Sequence, residues 1–319
     1  MKKVELIVPC YNEEECIELL YNKVCKVFEE LPQYDFVITY VDDGSKDATL
    51  NQIKNVQKKA GKDKIQYIAL SRNFGKESAI YAGLNESTGD YVALMDADLQ
   101  HPPELLKVML TAIEEEGYDR VSARRVSRKG EPLVRSFFSG LFYYVINRIT
   151  GMNLVSGSTD YCLMKRSVVE AIVSMTERER FTKGIYSWVG FKNKWVEYEN
   201  VERAAGKTKW SFRGLIRYAY SGFVAFATTP LRGVVYFGML IVLFAIVYAV
   251  YTFVSTLYSS SARTGYATIL ITILFLGGVI ISLLGMIGEY LARIYMEVKN
   301  RPIYLAREKS LDEDKAEDK

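Results

Sequence analysis

Two carboxylates two residues apart are the most informative side chains in this sequence. Asp96 and Asp98 follow an apolar run at 91–95 that has the character of a buried strand, and Gln100 comes two residues later. Carboxylate and amide oxygens at the end of a strand suit Mg²⁺ or Mn²⁺ rather than zinc, and such an ion usually keeps phosphate groups among its ligands. The alternative is a solvated acidic turn in front of the next helix.

The elements that must position these carboxylates are strands and helices in alternation. Apolar runs predict strands at 4–9, 36–41, 65–70 and 91–95. Amphipathic or capped segments predict helices at 13–30, 48–60, 75–85 and 103–116. This alternation predicts an α/β fold with a mostly parallel sheet.

Each predicted strand ends in a polar motif. In chain order the motifs are PCYNE, DDGS, SRNFGK and DADLQ, which begin at residues 9, 42, 71 and 96. Because the carboxyl ends of parallel strands share one edge of the sheet, we expect all four motifs to meet where such folds bind ligands.

Composition excludes several classes of protein. The chain has 319 residues and a net charge of +3, which gives no indication of nucleic-acid binding. Its four cysteines have no CxxC spacing, so neither a disulfide framework nor a zinc site is expected. This cysteine pattern predicts a reducing compartment. His101 is the sole histidine, which leaves little basis for a Ser-His-Asp hydrolase. The first apolar run is too short for a signal peptide and is interpreted as a strand.

Two long uncharged stretches predict a transmembrane hairpin. No charged residue occurs at 233–262 or at 264–288, and each stretch exceeds the roughly 20 residues that span a bilayer. We therefore predict an α/β domain at 1–230, spans at 233–257 and 267–290 within 231–292, and a charged tail at 293–319 that is disordered from residue 307. Buried helices of a soluble protein are the alternative.

Basic residues flank the predicted hairpin, whereas its connecting loop contains only Arg263. The positive-inside rule therefore predicts that both ends lie in the cytoplasm. Two aromatic segments with sparse arginines, at 132–150 and 210–229, are interpreted as interfacial helices, with ordinary core helices as the alternative.

In this order the motifs resemble a known family. VPCYNEEE, VDDGSKDAT, SRNFGKE and DADLQHPPE, followed by Ser-Ala-Arg at 122–124 and the pattern Arg-x-x-Gly-x-Thr-Lys-Trp at 203–210, are similar to the GT-A glycosyltransferases of family 2. More narrowly, the chain resembles the polyprenyl-phosphate glycosyltransferases, which include dolichyl-phosphate mannose synthase and bacterial undecaprenyl-phosphate glucosyltransferases. The resemblance extends to about residue 302 and implies a GT-A, Rossmann-like domain.

The resemblance also implies roles for individual residues. Asp96 and Asp98 are the expected catalytic pair, and the expected metal ligands are Asp98, Gln100 and Asp96. The expected contacts to the donor nucleotide or its diphosphate are Pro9, Tyr11, Glu13, Val41, Asp43, Asp96, Ala97, Arg203 and Lys209. Asp42 is expected to hold its own loop instead.

A second group of residues is expected to serve the acceptor. The resemblance implies that Arg124, Arg135 and Ser139 hold the acceptor phosphate, and Arg135 and Ser139 are four residues apart on one helical face. Snorkelling arginines on an interfacial helix are the alternative. Asp160 is the candidate acid/base, or else positions the acceptor, because an ionised phosphate has little need of a base.

The implied reaction is the inverting, metal-dependent transfer of a single hexose to undecaprenyl phosphate. Processive relatives have a Gln-x-x-Arg-Trp signature that is missing near residues 177–184. UDP-glucose is the favoured donor, ahead of UDP-GlcNAc and GDP-mannose. The implied setting is the inner membrane of a bacterium, with membrane lipids and a second copy of the chain as further partners. A neutral lipid acceptor and a non-catalytic membrane scaffold are the alternatives.

Overall fold

The computed structural model describes residues 1–126, 147–148, 155, 157–199, 229–258 and 265–310. The chain divides into one unit of residues 1–225 and 302–319 and a second unit of residues 226–301. The strands are β1 Lys2–Cys10, β2 Tyr34–Asp42, β3 Ile65–Leu70, β4 Tyr91–Leu94, β5 Arg120–Arg125, β6 Ser158–Lys165, β7 Asn193–Tyr198 and β8 Ala306–Lys309. The helices are α1 Ile17–Glu29, α2 Thr49–Ala60, α3 Lys76–Glu86, α4 Leu105–Glu114, α5 Arg166–Ser174, α6 Thr182–Trp188, α7 Thr229–Tyr258 and α8 Tyr266–Val298.

All eight of these strands form one sheet in the order β7-β5-β6-β4-β1-β2-β3-β8. The four strands β3, β2, β1 and β4 are mutually parallel, and β5 is parallel to β7. Strand β6 runs antiparallel to both β4 and β5, and β8 runs antiparallel to β3. The predicted α/β fold and the four predicted strands are confirmed, with small differences at their ends.

Alternating side chains of β1 contact helices on opposite faces of the sheet. Val4, Leu6 and Val8 belong to the main hydrophobic cluster, which also includes the buried face of α1. Ile7 points to the other face, where a Cβ added to Gly83 of α3 would lie 2.4 Å from Ile7 Cγ2. A strand covered on both faces is largely apolar, as β1 is. Its buried Glu5 is the exception, and Glu5 Oε1 accepts a hydrogen bond from Thr39 Oγ1 at 2.8 Å.

Helix α1 begins later than predicted. It starts at Ile17 instead of residue 13, because Asn12 has a positive φ of 52° and the three glutamates after it form a turn. The amide groups of Asn12 and Glu13 bond to side chains of the neighbouring loop, so these residues serve the strand-end region and not the helix.

The chain after the second long helix is not a disordered tail at its start. Strand β8 pairs with β3, and Ser310 is 3% exposed, with its amide donating to Tyr67 O at 3.0 Å. The prediction of disorder from residue 307 is therefore wrong for 307–310. The unpaired edge of β3 explains this, because main-chain pairing can fix a charged segment that has no hydrophobic core of its own. Residues 311–319 lie outside the described residues.

Helices α7 and α8 cover the two predicted spans and continue beyond them. Many of the apolar side chains described in these two helices are exposed. Phe244, for example, is 69% exposed and Ile281 is 72% exposed. Among the described residues, one stretch, Phe275–Val298, is long and apolar enough by composition to cross a membrane, and a shorter apolar stretch is Tyr236–Tyr248. The predicted interfacial helices fall almost wholly outside the described residues.

Candidate active site

The loops after β1 and β2 are joined by hydrogen bonds. The amide of Asn12 donates to Ser45 Oγ at 2.9 Å, and the amide of Lys46 donates to Asn12 Oδ1 at 2.9 Å. The amide of Glu13 donates to Thr49 Oγ1 at 2.8 Å. Because the parallel strands end together, side chains from residues more than 30 positions apart fix each other here.

Asp42 and Asp43 bind backbone amides. Asp42 Oδ1 accepts from the amide of Ser45 at 3.1 Å, as expected for a residue that holds its own loop. Asp43 accepts from the amides of Phe74 and Gly75 at 2.7 and 2.9 Å, and so connects the loops after β2 and β3. Burial raises the pKa of Asp43, and these two amide bonds partly offset the rise.

Gly44 is required by this close approach of two loops. Its φ is 66°, and a Cβ there would lie 2.4 Å from the carbonyl carbon of Arg72. Only glycine avoids both the backbone strain and the collision, so the Asp-Asp-Gly-Ser motif is fixed by geometry as well as by chemistry.

The other expected donor contacts differ in their exposure to solvent. Pro9, Tyr11 and Glu13 are partly exposed at the strand-end edge, where a nucleotide could reach them. Val41 is completely buried and Ala97 is 3% exposed, so neither presents an exposed side chain at this edge. Their roles toward a donor stay predictions.

Lys76 forms ion pairs with both the Asp-x-Asp motif and strand β6. Its Nζ lies 2.7 Å from Asp96 Oδ1 and 2.5 Å from Asp160 Oδ2. Asp96 follows β4, whereas Asp160 belongs to β6, so a single ammonium group holds two predicted catalytic carboxylates together. Sequence reasoning assigned no role to Lys76, although its position at the end of the SRNFGK motif was the available signal.

The charges of this cluster determine the protonation of Asp160. Burial raises the pKa of Asp160, but the ammonium groups of Lys76 and Lys183 outweigh that effect and hold the pKa well below its usual range. Burial also lowers the pKa of Lys76, while Asp160 and Asp96 raise it above its ordinary value. Lys76 and Asp160 are therefore both ionised at neutral pH.

The Asp-x-Asp segment presents alternate side chains to solvent. Asp96, Asp98 and Gln100 are partly exposed, whereas Ala97 and Leu99 are buried. Leu99 has a φ of 59°, and the amide of Gln100 donates to Asp98 Oδ1 at 3.1 Å. The left-handed conformation of a buried leucine is strained, and such strain is often found at functional sites.

These three oxygen-bearing side chains fit the chemistry of a hard divalent cation. Two carboxylates and an amide on one loop provide oxygen ligands only, which is the set that Mg²⁺ and Mn²⁺ prefer. No group of three His, Cys, Asp or Glu residues able to hold a metal occurs in the described part of the chain. The remaining ligands would have to come from the glutamine and from the phosphates of a substrate.

His101 lies beneath the acidic motif. It is 5% exposed, its ring is 5.5 Å from that of Tyr161 and 5.8 Å from that of Tyr198, and its buried Nδ1 has no hydrogen-bond partner among the described residues. Burial lowers the pKa of His101, so the ring is neutral at pH 7. The sequence indicated only that this residue is unique.

The predicted acceptor residues are described in part. Arg124 Nη1 lies 3.4 Å from Glu197 Oε1, in an ion pair whose side chains are 39% and 56% exposed. The other predicted acceptor residues, Arg135 and Ser139, lie outside the described residues, as do the predicted donor contacts Arg203 and Lys209. Of the predicted site residues, the structure brings together Asp96 and Asp160 through Lys76. Asp98 and Gln100 lie on the same loop as Asp96.

Two family models match the chain. The model of glycosyl transferase family 2 matches residues 5–173, which contain all four strand-end motifs and Asp160. The model described as the GtrB C-terminal hairpin matches residues 229–294, which correspond to α7 and most of α8.

Relatives with this arrangement match over nearly the whole chain. A Bacillus subtilis protein, provisionally named glycosyltransferase CsbB, is 44% identical over 97% of this chain and 92% of its own length. An Escherichia coli protein named prophage bactoprenol glucosyl transferase homolog is 38% identical over 96% of this chain and 98% of its own length. The SfII prophage-derived bactoprenol glucosyl transferase of Shigella flexneri is 38% identical over 96% of this chain and 97% of its own length.

Proposed function

The chain belongs to glycosyl transferase family 2, and from this premise we propose that it transfers one hexose from a nucleotide-sugar to the phosphate of a polyprenol. It is a glycosyltransferase. We favour glucose as the sugar, UDP as the nucleotide and undecaprenyl phosphate as the acceptor. Support comes from relatives named as bactoprenol glucosyl transferases, which match over 96% of this chain.

The observation that best supports a transferase is the ionised cluster around Lys76. It connects Asp96, on the side of the predicted donor, with Asp160, on the side of the predicted acceptor. A scaffold without activity would have no need to hold two carboxylates of different strands in one fixed place. Holding both substrates in line is the main source of rate acceleration in a transfer of this kind.

We assign the donor to the strand-end loops. Tyr11 offers a ring on which the base can stack, and Glu13 can accept hydrogen bonds from base or ribose. Pro9, Val41, Asp43 and Ala97 complete the predicted pocket, which Arg203 and Lys209 are proposed to close over the diphosphate. Asp98, Gln100 and Asp96 are proposed to hold Mg²⁺ or Mn²⁺, which would supply positive charge to stabilise the leaving nucleotide.

The chemical step requires little proton transfer. An oxygen of the acceptor phosphate forms a bond to the anomeric carbon as the bond from that carbon to the nucleoside diphosphate breaks, and the configuration inverts. Asp160 is a weak base, because the ammonium groups of Lys76 and Lys183 lower its pKa. We therefore assign Asp160 to positioning, with Arg124, Arg135 and Ser139 holding the acceptor phosphate.

We place the protein in the inner membrane of a bacterium. Helices α7 and α8 are long enough to span a bilayer, and the match to a hairpin family supports their pairing. The flanking basic residues favour a cytoplasmic catalytic unit with both termini on that side. A homo-oligomer remains an expectation from the resemblance.

The decisive experiment follows a labelled sugar into lipid. Purified full-length protein is incubated with Mg²⁺ or Mn²⁺, undecaprenyl phosphate and, in parallel, labelled UDP-glucose, UDP-GlcNAc or GDP-mannose. We expect label from UDP-glucose in the organic phase and none after chelation. Label entering diacylglycerol in place of the polyprenol, with Arg135→Ala fully active, would favour a neutral acceptor. Absence of metal-dependent UDP binding would favour a scaffold.

A further inference from the structure

A cavity of about 340 Å³ lies in the unit that contains the sheet, where its wall includes Ser158 and Thr159, the two residues before Asp160 on β6. Strands β5, β6 and β7 and helix α6 enclose it. Its lining includes Arg120, Ser122, Lys183, Tyr186, Asn193 and Trp195. None of the described residues around it is acidic, so the lining has two positive charges and no negative one.

Arg120 is a buried cation without a countercharge in the described part of the chain. It is 6% exposed, its Nε donates to Asn193 Oδ1 at 2.9 Å, and its guanidinium lies 4.5 Å from the centre of the Tyr186 ring. Its buried Nη1 has no hydrogen-bond partner among the described residues, and burial lowers its pKa. An unpaired buried charge is costly, so a partner from outside the protein would be bound strongly.

Asn193 leaves a second donor unused. Its Oδ1 already accepts from Arg120 Nε and from Ser122 Oγ, both at 2.9 Å. Its Nδ2 is buried and, among the described residues, has no acceptor. Donors therefore outnumber acceptors in this cluster, and a ligand that satisfies it must provide several acceptor oxygens.

Another buried arginine of the same domain has internal partners for its guanidinium. Arg180 is 8% exposed, and its guanidinium donates to the carbonyl oxygens of Met175 and Ile172. The fold therefore can provide internal acceptors for a buried guanidinium. Among the described residues it provides Arg120 with one side-chain acceptor, the amide oxygen of Asn193, and this pair lines the cavity.

Lys183 connects the cavity with the active site. Its Nζ donates to Ser158 O at 2.8 Å at the cavity wall, and its charge helps to lower the pKa of Asp160. The cavity adjoins the predicted acceptor residue Arg124, because Ser158 of its wall is the register partner of Arg124. Arg120 is a different anchor, four residues from Arg124 on β5 and so about 13 Å away along an extended strand.

We propose that this cavity is a second anion-binding site, in which Arg120, Lys183 and Asn193 hold a phosphate group. A phosphate supplies the acceptor oxygens and the negative charge that the cluster needs, and guanidinium groups bind it in a planar fork. The phosphate comes either from the headgroup of a polyprenyl phosphate or from free inorganic phosphate. The same site chemistry serves both, and the experiment distinguishes them.

The test measures phosphate binding without any nucleotide-sugar. Full-length protein in phosphatidylcholine nanodiscs is titrated with inorganic phosphate by calorimetry. We expect saturable binding in the wild type and an affinity about tenfold lower or weaker still in Arg120→Gln, as for the loss of a charge-assisted hydrogen bond. Lys194→Gln is the matched control, since Lys194 is the neighbour of Asn193 in the chain but pairs with Glu116 at 2.5 Å.

A second variant distinguishes the loss of the anion site from misfolding of the protein. Asn193→Asp places a carboxylate beside Arg120, so it should abolish phosphate binding while the protein remains folded and keeps its melting temperature or raises it. Wild-type protein that binds no phosphate, or Arg120→Gln protein that binds it as tightly as the Lys194→Gln control, would overturn the proposal.

Added polyprenyl phosphate identifies the source. Displacement of inorganic phosphate by nanodiscs that contain the lipid assigns the site to the acceptor headgroup. Retention of inorganic phosphate in their presence assigns it to the free ion, and both results support an anion site. Because no sugar is transferred in these titrations, their failure would leave the proposed function untouched.

Discussion

The sheet has one half formed by β1 to β4 and another formed by β5 to β7, and the two halves differ in whether their buried polar groups find hydrogen-bond partners within the protein. At the ends of β1, β2, β3 and β4, carboxylates bind amides of neighbouring loops, as Asp43 does with Phe74 and Gly75. Around β5, β6 and β7, Arg120 and Asn193 each retain a buried donor that no described residue satisfies. Among the described residues, the first half satisfies its buried polar side-chain atoms from within apart from His101 Nδ1, and we call it the internally complete half; the second half keeps unsatisfied donors beside the cavity.

This difference suggests that the two halves of the sheet have different roles in binding. Loops that satisfy one another are rigid before any substrate arrives, which suits the precise placement of a donor. Unsatisfied donors beside a cavity are stabilised only when something else supplies acceptors, which suits a place that a ligand enters and leaves. Four tests can break or sharpen this comparison.

The largest effect is expected in the internally complete half. Asp98→Asn removes one predicted ligand charge and should lower kcat for sugar transfer about 100-fold or more, since a metal supplies several kcal/mol of charge stabilisation. Transfer of label to lipid measures the effect. Asp63→Asn, in an exposed turn, is the control and should be fully active. An active Asp98→Asn enzyme would contradict the metal assignment.

Lys76 joins the two halves, and its removal should affect both activity and pH dependence. In the wild type the pKa of Asp160 lies below its ordinary value near 3.9, so the stability from its ion pair is present above that pH and is lost as the pH falls through the lowered pKa. Lys76→Met removes a main cause of the lowering, and burial then raises the pKa.

We therefore expect Lys76→Met to lower kcat about tenfold or more and to shift the acid limb of the pH–rate profile to higher pH. Lys76→Arg retains the charge and should leave that limb in place. A tenfold loss of activity with an unmoved acid limb would indicate that Lys76 acts only through packing.

The third test compares the two halves directly through stability. Asp43→Asn places an amide group against backbone donors and should lower the free energy of unfolding by about 1–3 kcal/mol. Asn193→Asp supplies the missing charge to Arg120 and should raise it, by about 1–2 kcal/mol. Melting temperatures of the two detergent-purified variants measure this. Changes of the same sign would remove the distinction between the halves.

The smallest effect is expected at the outer edge of the sheet. Glu308 of β8 lies 2.6 Å from Lys54 Nζ in an ion pair whose side chains are each about one-third exposed. Exposed pairs contribute little, so Glu308→Gln should change the free energy of unfolding by less than about 1 kcal/mol. Chemical denaturation measures it, and a larger loss would mean that β8 depends on this charge instead of on main-chain pairing.

The internally complete half could be predicted from sequence because its signals are local. Each of its strands is an apolar run followed at once by its polar motif, and parallel order then places Asp43 and Asp96 at one edge. The details that depend on partners were not predictable. Nothing in the motif at 42–45 indicates that both oxygens of Asp43 are bonded to the loop after β3.

The cavity half could not be predicted because its contacts are distant in sequence. Arg120 and Asn193 are separated by 73 positions and meet only because β5 pairs with β7. Strand β8 was missed for a related reason. A short charged segment has no strand signal of its own, and its structure follows from the open edge of β3, which sequence patterns do not show.

The return of the chain to β3 changes how a soluble enzyme should be prepared. Residues 302–310 complete the catalytic sheet, so the apolar helices are an insertion into that domain and not an appendage after it. Cutting the gene before the helices would discard the last strand of the sheet. Excising the hairpin and joining the two ends with a flexible linker would keep every strand.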